Sequence, residues 1–92
     1  MAKSILQSRK ECYICQRVSG LHKHHVFHGT SNRKNSEKTG LWLWLCMDHH
    51  TGPRGVHSDR LLDLNLQMNA QAVFEQTHSR EEFREIFGKS YL

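Results

Sequence analysis

The chain has 92 residues, and its 13 Lys and Arg outnumber its 9 Asp and Glu, so its net charge of +4 suits a polyanionic partner without requiring one. A chain this short buries only a modest core and usually needs a disulfide, a metal or a partner for stability. Three cysteines, no secretory signal and no apolar run long enough for a bilayer lead us to expect a cytoplasmic protein that makes no membrane contact and uses metal rather than disulfides.

Two short pairs of metal-ligand residues frame the first half of the chain. Residues 1–11 carry no motif and form either a frayed arm or a short helix. The following pair, Cys12-Tyr13-Ile14-Cys15, brings two thiols to one point. Alone, this pair is either a zinc knuckle or a redox pair. Cys46-Met47-Asp48-His49 repeats the spacing, and the two pairs together supply the four ligand types that zinc prefers. The sequence therefore favours a structural zinc bound by Cys12, Cys15, Cys46 and His49 over buried, unliganded cysteines.

Two segments between these pairs have the character of strands. Leu21 to His28 is predicted to be a strand, in which successive side chains point to opposite faces. The adjacent His24 and His25 are therefore expected on opposite faces of this strand. Leu41 to Leu45 alternates Leu and Trp without a polar face, which predicts a short strand covered on both sides, with the Trp rings in the core rather than stacked on bases.

The segment from Gly29 to Gly40 joins these two strands. It is polar and has no apolar period, so we predict a long loop. Arg33, Lys34 and Lys38 in this segment either contact phosphates or belong to an ordinary solvated loop.

The C-terminal third is predicted to be helical. Ser58 is the expected N-cap of a first helix, and Ser79-Arg80-Glu81-Glu82 is a capping box that begins a last helix ending at Gly88. The apolar residues at helical spacing are interpreted as core. They are Leu61, Leu62, Leu64, Met68, Ala72 and Val73 in the first helix, and Phe83, Ile86 and Phe87 in the last.

The order of these elements resembles a known family. His24-His25-Val26, a connecting segment, a hydrophobic strand and Leu45-Cys46-x-x-His49-His50, all within a Cys-x-x-Cys frame, resemble the HNH endonucleases of the ββα-metal (His-Me finger) class, particularly the small phage and prophage forms. The resemblance covers residues 12 to about 60. It implies an α+β fold with a small ββα-metal core stapled by a structural zinc. The chain is then one domain, 1–92, with an arm at 1–11, the core at 12–60 and additional C-terminal helices at 58–88.

The resemblance also implies roles for the histidines. Carried over by position, His24 and His50 bind a catalytic divalent ion and His25 is the general base. His57 is interpreted as a third ligand, although it also fits an ordinary lead into the following helix. His22 and His28 share the face of His24 and rank below it as candidates. A site made only of imidazoles favours Zn²⁺, Ni²⁺, Mn²⁺ or Co²⁺ over Mg²⁺.

One feature of the family is missing. Its central Asn is absent between Leu41 and Cys46, so the loop-orienting role is assigned to Asn32, with Asn35 as the other candidate. The partner implied by the resemblance is DNA, contacted mainly through its phosphate backbone. The candidates for these contacts are Arg33, Lys34 and Arg54. Phage packaging or recombination proteins are candidate further partners, and the cytoplasm of a bacterial host cell is the expected location.

Three functions are compatible with the sequence. The resemblance implies a metal-dependent DNA endonuclease that hydrolyses phosphodiester bonds, in which His25 activates water and a His-bound divalent ion stabilises the leaving oxygen. The alternative is a zinc-stabilised nucleic-acid-binding module without catalysis, which the missing Asn permits. A zinc-bound protein-interaction adaptor is the third. The first predicts two metal ions per chain and the second predicts one.

Overall fold

The computed structural model describes residues 2–92, so Met1 of the predicted arm lies outside the described part. It contains a two-stranded antiparallel sheet and four helices. The elements are β1 Leu21–His25, α1 Thr30–Thr39, β2 Trp42–Cys46, α2 Met47–His50, α3 Arg60–Phe74 and α4 Arg80–Phe87. The predicted α+β class is confirmed. Within residues 2–92, no helix has the length and apolar character needed to cross a membrane.

The two faces of the hairpin have different surroundings. His24 pairs with Leu43 and His25 pairs with Trp42, and successive side chains of a strand point to opposite faces. On one face Leu43 is buried in the core, together with Leu45. On the other face Trp42 remains partly exposed, as does Trp44. The prediction that this strand is covered on both sides is therefore wrong.

The segment between the strands is a helix, not the predicted loop. Helix α1 has no buried apolar side chain, and it is held in place by hydrogen bonds instead. The Nδ2 atoms of Asn32 and Asn35 donate to the carbonyl oxygens of Phe87 and Ile86 at the end of α4, at 3.4 and 2.9 Å. Gly40 ends the helix in the left-handed region at φ 76°. An apolar period was absent from the sequence because polar contacts replace apolar packing here.

A buried serine closes the turn after β1. The strand ends at His25 rather than at His28, and Phe27 turns inward to full burial. Ser36 of α1 is also fully buried, and its Oγ accepts from the amide of Phe27 at 3.1 Å and donates to the carbonyl of Phe27 at 2.8 Å. This pair of bonds fixes where β1 stops and where α1 packs.

The two C-terminal helices supply most of the remaining core. The capping box at Ser79 and the stop at Gly88 are confirmed. Helix α3 begins after Asp59 rather than Ser58, because the Asp59 carboxylate accepts from two backbone amides of the first turn. The predicted buried stripe of α3 is wrong at Leu61, Leu64, Met68 and Ala72, which are exposed. The buried residues of α3 are Leu66, Gln67, Ala70, Gln71 and Phe74.

The N-terminal arm is neither frayed nor helical. It runs along the outer side of β2, where the amide of Ile5 donates to the carbonyl of Gly40 at 2.9 Å. The Oε1 atom of Gln7 accepts from the amide of Trp44 at 2.9 Å. These contacts satisfy polar groups on an edge strand that would otherwise be open.

Candidate metal centres

The first candidate centre joins the knuckle to the start of α2. Cys12, Cys15, Cys46 and His49 each offer one ligand atom, and these atoms all lie within 4.8 Å of one another. The amide of Tyr13 donates to the carbonyl of Trp44 at 2.8 Å, which ties the knuckle to β2 beside Cys46. The four predicted ligands are thus brought together, and they form a Cys3His set that can hold a metal ion such as zinc.

The spacing of these atoms suits a tetrahedral ion. The Sγ atoms of Cys15 and Cys46 are 3.8 Å apart, and Nδ1 of His49 lies 3.2 Å from Sγ of Cys46 and 3.7 Å from Sγ of Cys12. A tetrahedral zinc with bonds of about 2.3 Å to sulfur requires sulfur atoms roughly 3.8 Å apart. The donors are therefore already at coordination distance.

The thiol of Cys12 is prepared for metal binding. Its burial raises the pKa, but hydrogen bonds from the backbone at Cys46, Cys15 and Ile14 outweigh burial and lower the pKa to about 6. A thiol with such a pKa is a thiolate at neutral pH, which is the form that binds metal.

The second candidate centre uses the histidine next to the zinc ligand. His49 and His50 end the short helix α2, so adjacent residues reach two different clusters. Gly55 then lets the chain fold back over α2, because a Cβ there would lie 2.6 Å from the carbonyl oxygen of His50. The amide of His57 donates to that same carbonyl at 3.3 Å, which returns His57 to the side of His50.

His24, His50 and His57 form a three-histidine cluster. One ring nitrogen from each lies within 4.8 Å of the others, and the Nε2 atoms of His50 and His57 are 3.2 Å apart. Nε2 of His24 is buried and has no hydrogen-bond partner in the described part of the chain. An unpaired buried nitrogen is costly in a protein interior, whereas a bound cation would satisfy it. This donor set fits a divalent ion.

The electrostatics of the cluster also suit a metal. Burial, and next the imidazoles of His50 and His57, lower the pKa of His24 to about 3. Burial and the neighbouring imidazoles of His57 and His22 likewise lower the pKa of His50. Neutral imidazoles are the form that donates a lone pair to a metal.

His22 orients His50, a contact that the sequence did not predict. The Nδ1 atoms of the two rings are 3.0 Å apart. Either nitrogen can carry the proton of this bond, and with the proton on Nδ1 of His50, Nε2 of His50 is free to coordinate an ion. A histidine that binds metal commonly donates a hydrogen bond from its other ring N–H in this way.

His25 lies on the opposite face of β1, as the alternation predicted. Its Nε2 is 2.9 Å from Oε1 of Glu37 in α1, and Nζ of Lys23 contacts the same carboxylate at 3.1 Å. The hydrogen bond with His25, and next that with Lys23, lower the pKa of Glu37. The carboxylate therefore accepts from Nε2–H of His25, which leaves Nδ1 as the basic nitrogen.

The histidines surround a cleft of about 250 Å³ that also contains cations. Arg33 lines this cleft together with His25, and Arg33, Lys34 and Lys38 line a larger groove along the exposed side of α1. Arg54 lies in the exposed turn between α2 and α3. The residues that line the cleft are Lys23, His24, His25, His28, Arg33, His50 and His57.

Two predicted site residues have other surroundings. Asn32 donates to α4, as described above, and the turn after β1 is fixed by Ser36 instead. His28 lines the cleft, but its Nε2 lies 3.1 Å from Oδ2 of Asp63 in α3. Sequence reasoning missed Glu37 because the segment that carries it was interpreted as a loop. The glycines that flank 30–39, with Lys38 near its end, were the available signal for a helix.

Comparisons of the chain with family models, curated proteins and solved structures find no match.

Proposed function

We propose that this protein is a metal-dependent DNA endonuclease of the HNH, ββα-metal type, with a structural zinc and a second divalent ion. The single observation that carries the proposal is the arrangement of four of the five histidines that line one cleft. Three of them, His24, His50 and His57, form a metal-ligand set around the unpaired Nε2 of His24. The fourth, His25, is on the other face of the strand and bonds to a carboxylate.

The two metal clusters have different roles in this proposal. Cys12, Cys15, Cys46 and His49 bind a closed structural zinc, which joins the knuckle to the hairpin and helix α2. The three-histidine cluster lines the cleft and would hold a second, divalent ion there. Such an ion would supply Lewis-acid stabilisation of charge on the phosphate and on the leaving 3′ oxygen.

His25 is the general base. Its Nε2–H is engaged by Glu37, so Nδ1 is the nitrogen that takes a proton from the attacking water. The carboxylate holds the ring in one tautomer and stabilises the positive charge that develops on it, as in other pairs of a histidine and an acid. Glu37 touches neither water nor substrate in this scheme, so it is a positioning residue.

The cations beside the cleft suit a phosphodiester substrate. Arg33 lines both the histidine cleft and the groove along α1, where Lys34 and Lys38 follow. Guanidinium and ammonium groups near a reacting phosphate bind its oxygens and fix its position. Arg33 and Lys34 are therefore retained as DNA contacts, and Arg54 is proposed as a more distant one.

A plasmid-cleavage assay tests this function. Wild type, His25→Ala and the control His78→Ala are stripped of loosely held metal and given Mn²⁺, Ni²⁺, Co²⁺, Zn²⁺ or Mg²⁺ in turn. We expect wild type and the control to cut, and we expect His25→Ala to bind DNA but to cut at least about 100-fold more slowly, since a general base contributes about that much or more.

One observation favours a second candidate, a zinc-stabilised nucleic-acid-binding module without catalysis. Asn32 and Asn35 both bond to α4, so neither amide orients the segment that follows His25. If wild type binds DNA and cuts with none of the five ions, the endonuclease is refuted in favour of this module.

A further inference from the structure

We infer that the N-terminal arm and the exposed face of the hairpin form a second nucleic-acid contact surface, which binds the phosphate backbone of the strand beside the histidine cleft. We call this surface the arm groove and define it by Lys3, Arg9, Lys10, Lys23, Trp42 and Trp44. The inference deepens the proposed function, because it assigns the surface to the same substrate.

The arm groove has one sign of charge. It has a volume of about 720 Å³, it is lined by four cationic side chains, and no carboxylate lines it within the described residues. Lys23 is partly neutralised by Glu37, so Lys3, Arg9 and Lys10 provide the free positive charge. All three are exposed. A concave surface whose charged side chains are all cationic concentrates polyanions.

The groove is ordered by its two tryptophans. Nζ of Lys10 lies 4.7 Å from the ring centroid of Trp44, and Nζ of Lys23 lies 4.0 Å from that of Trp42. Nε1 of Trp42 donates to the carbonyl of Ala2 at 3.1 Å, which holds the beginning of the arm against the sheet. The rings therefore position two ammonium groups in advance of binding, so less side-chain entropy is lost when a phosphate arrives.

Gly40 is the point at which the arm meets the hairpin. A Cβ at Gly40 would lie 2.3 Å from the carbonyl oxygen of Lys3, so only glycine allows this approach. The docking of the arm is thus built into the end of α1. A loosely attached basic tail would need no such contact.

The arm groove is continuous with the proposed active site. Lys23 lines both the groove and the histidine cleft. Trp42 is the cross-strand neighbour of His25, and Trp44 is that of Lys23, so all four side chains lie on one face of the sheet. A strand whose phosphate lies at His25 thus has its neighbouring phosphates next to the groove. This continuity favours nucleic acid over an anionic lipid surface.

The test measures binding apart from cleavage. The longest dimension of the molecule is 36 Å, about one turn of B-form DNA, so the probe is a labelled duplex of roughly two turns. The background is His25→Ala, so that cleavage does not interfere. Arg9→Gln with Lys10→Gln is compared with Arg84→Gln with Lys89→Gln, which removes two charges from α4 and the residue after its cap. Zinc content and circular dichroism are measured for both pairs.

We expect the Arg9→Gln, Lys10→Gln variant to bind the duplex about 10-fold or more weakly near 50 mM salt. The slope of the logarithm of the binding constant against the logarithm of salt concentration should fall in magnitude by roughly 1.8, since each lost phosphate contact removes about 0.9. The control pair should lower the slope by less than half of that. Trp42 and Trp44 are the only tryptophans of the chain, so the duplex should also shield tryptophan fluorescence from acrylamide.

Three outcomes overturn the inference. They are equal slopes for the two pairs, unchanged acrylamide quenching on DNA binding, and a loss by the arm pair of binding to phosphatidylserine vesicles but not to the duplex. The last would assign the groove to a lipid surface. Failure of this inference is distinguishable from failure of the proposed endonuclease. If DNA binding depends on the arm groove but the wild type does not cut, only the endonuclease is refuted. If the wild type cuts but binding does not depend on the arm groove, only the groove is refuted.

Discussion

Nε2 of His25 lies 2.9 Å from Oε1 of Glu37, which places a carboxylate of α1 behind the imidazole that we propose as general base. Helix α1 occupies the connection between the strands of the hairpin. Glu37, one residue of this polar connection, therefore helps to orient the ring of His25 on β1.

Glu37 should be required for cleavage but not for metal binding. Glu37→Ala removes the acceptor of Nε2–H, so we expect cleavage to fall by on the order of 100-fold, whereas Glu37→Gln keeps an acceptor and should lose less. Rates are measured at saturating metal, and bound metal is counted for each variant. Equal rates for wild type and Glu37→Ala would remove this residue from the site.

The same carboxylate makes a pH-dependent contribution to stability. The bonds from His25 and Lys23 lower the pKa of Glu37 in the folded state below its ordinary 4.5. Its contribution is therefore fully present above the unfolded pKa and is lost as pH falls through the lowered pKa. We expect the difference in unfolding free energy between wild type and Glu37→Gln not to shrink between pH 7.5 and about 5.5. Denaturant titrations of the zinc-loaded proteins check this, and a difference that already disappears at pH 6 would contradict it.

The hydroxyl of Ser36 should be important for stability. Ser36→Ala leaves the buried amide and carbonyl of Phe27 without their partner, and we expect a loss of about 1–3 kcal/mol in unfolding free energy. Ser31→Ala is the matched control, since Ser31 is exposed on the same helix. Chemical denaturation measures both, and equal stabilities for the two variants would show that the turn after β1 does not depend on Ser36.

The Cys3His site should determine whether the chain folds. Structural zinc contributes on the order of 10 kcal/mol to small domains, so Cys46→Ser should abolish the cooperative unfolding transition. Met47→Ser is the control, because Met47 is 61% exposed beside the ligand. Zinc content and thermal unfolding are measured, and a Cys46→Ser variant that stays folded without zinc would contradict the structural role.

Residue spacing predicted the Cys3His cluster, whereas the ligands of the three-histidine cluster were predicted from the family resemblance. The two x-x pairs and the alternation of His24 and His25 depend only on local geometry, which a short segment specifies by itself. The return of His57 to His50 was predicted by resemblance, and the structure adds its cause in the close approach at Gly55.

Apolar patterning failed where polar side chains are buried. Gln71 is fully buried because its Nε2 and Oε1 bond to Ser90 and to the amide of Tyr91. Such partners lie about 20 residues away, so the sequence of α3 alone suggested the wrong buried face. Helix α1 was missed for the same reason, since Asn35 and Ser36 anchor it through hydrogen bonds to distant backbone.

The most direct test of a two-ion endonuclease is to count bound ions and measure cleavage in one titration. Protein with one zinc per chain is titrated with Mn²⁺ or Co²⁺, and the second ion and the rate of plasmid cleavage are followed together in wild type and His24→Ala. We expect cleavage to rise in proportion to the second ion and to be lost with that ion in His24→Ala. Full cleavage with a single ion per chain, held at Cys12, Cys15, Cys46 and His49, would contradict it.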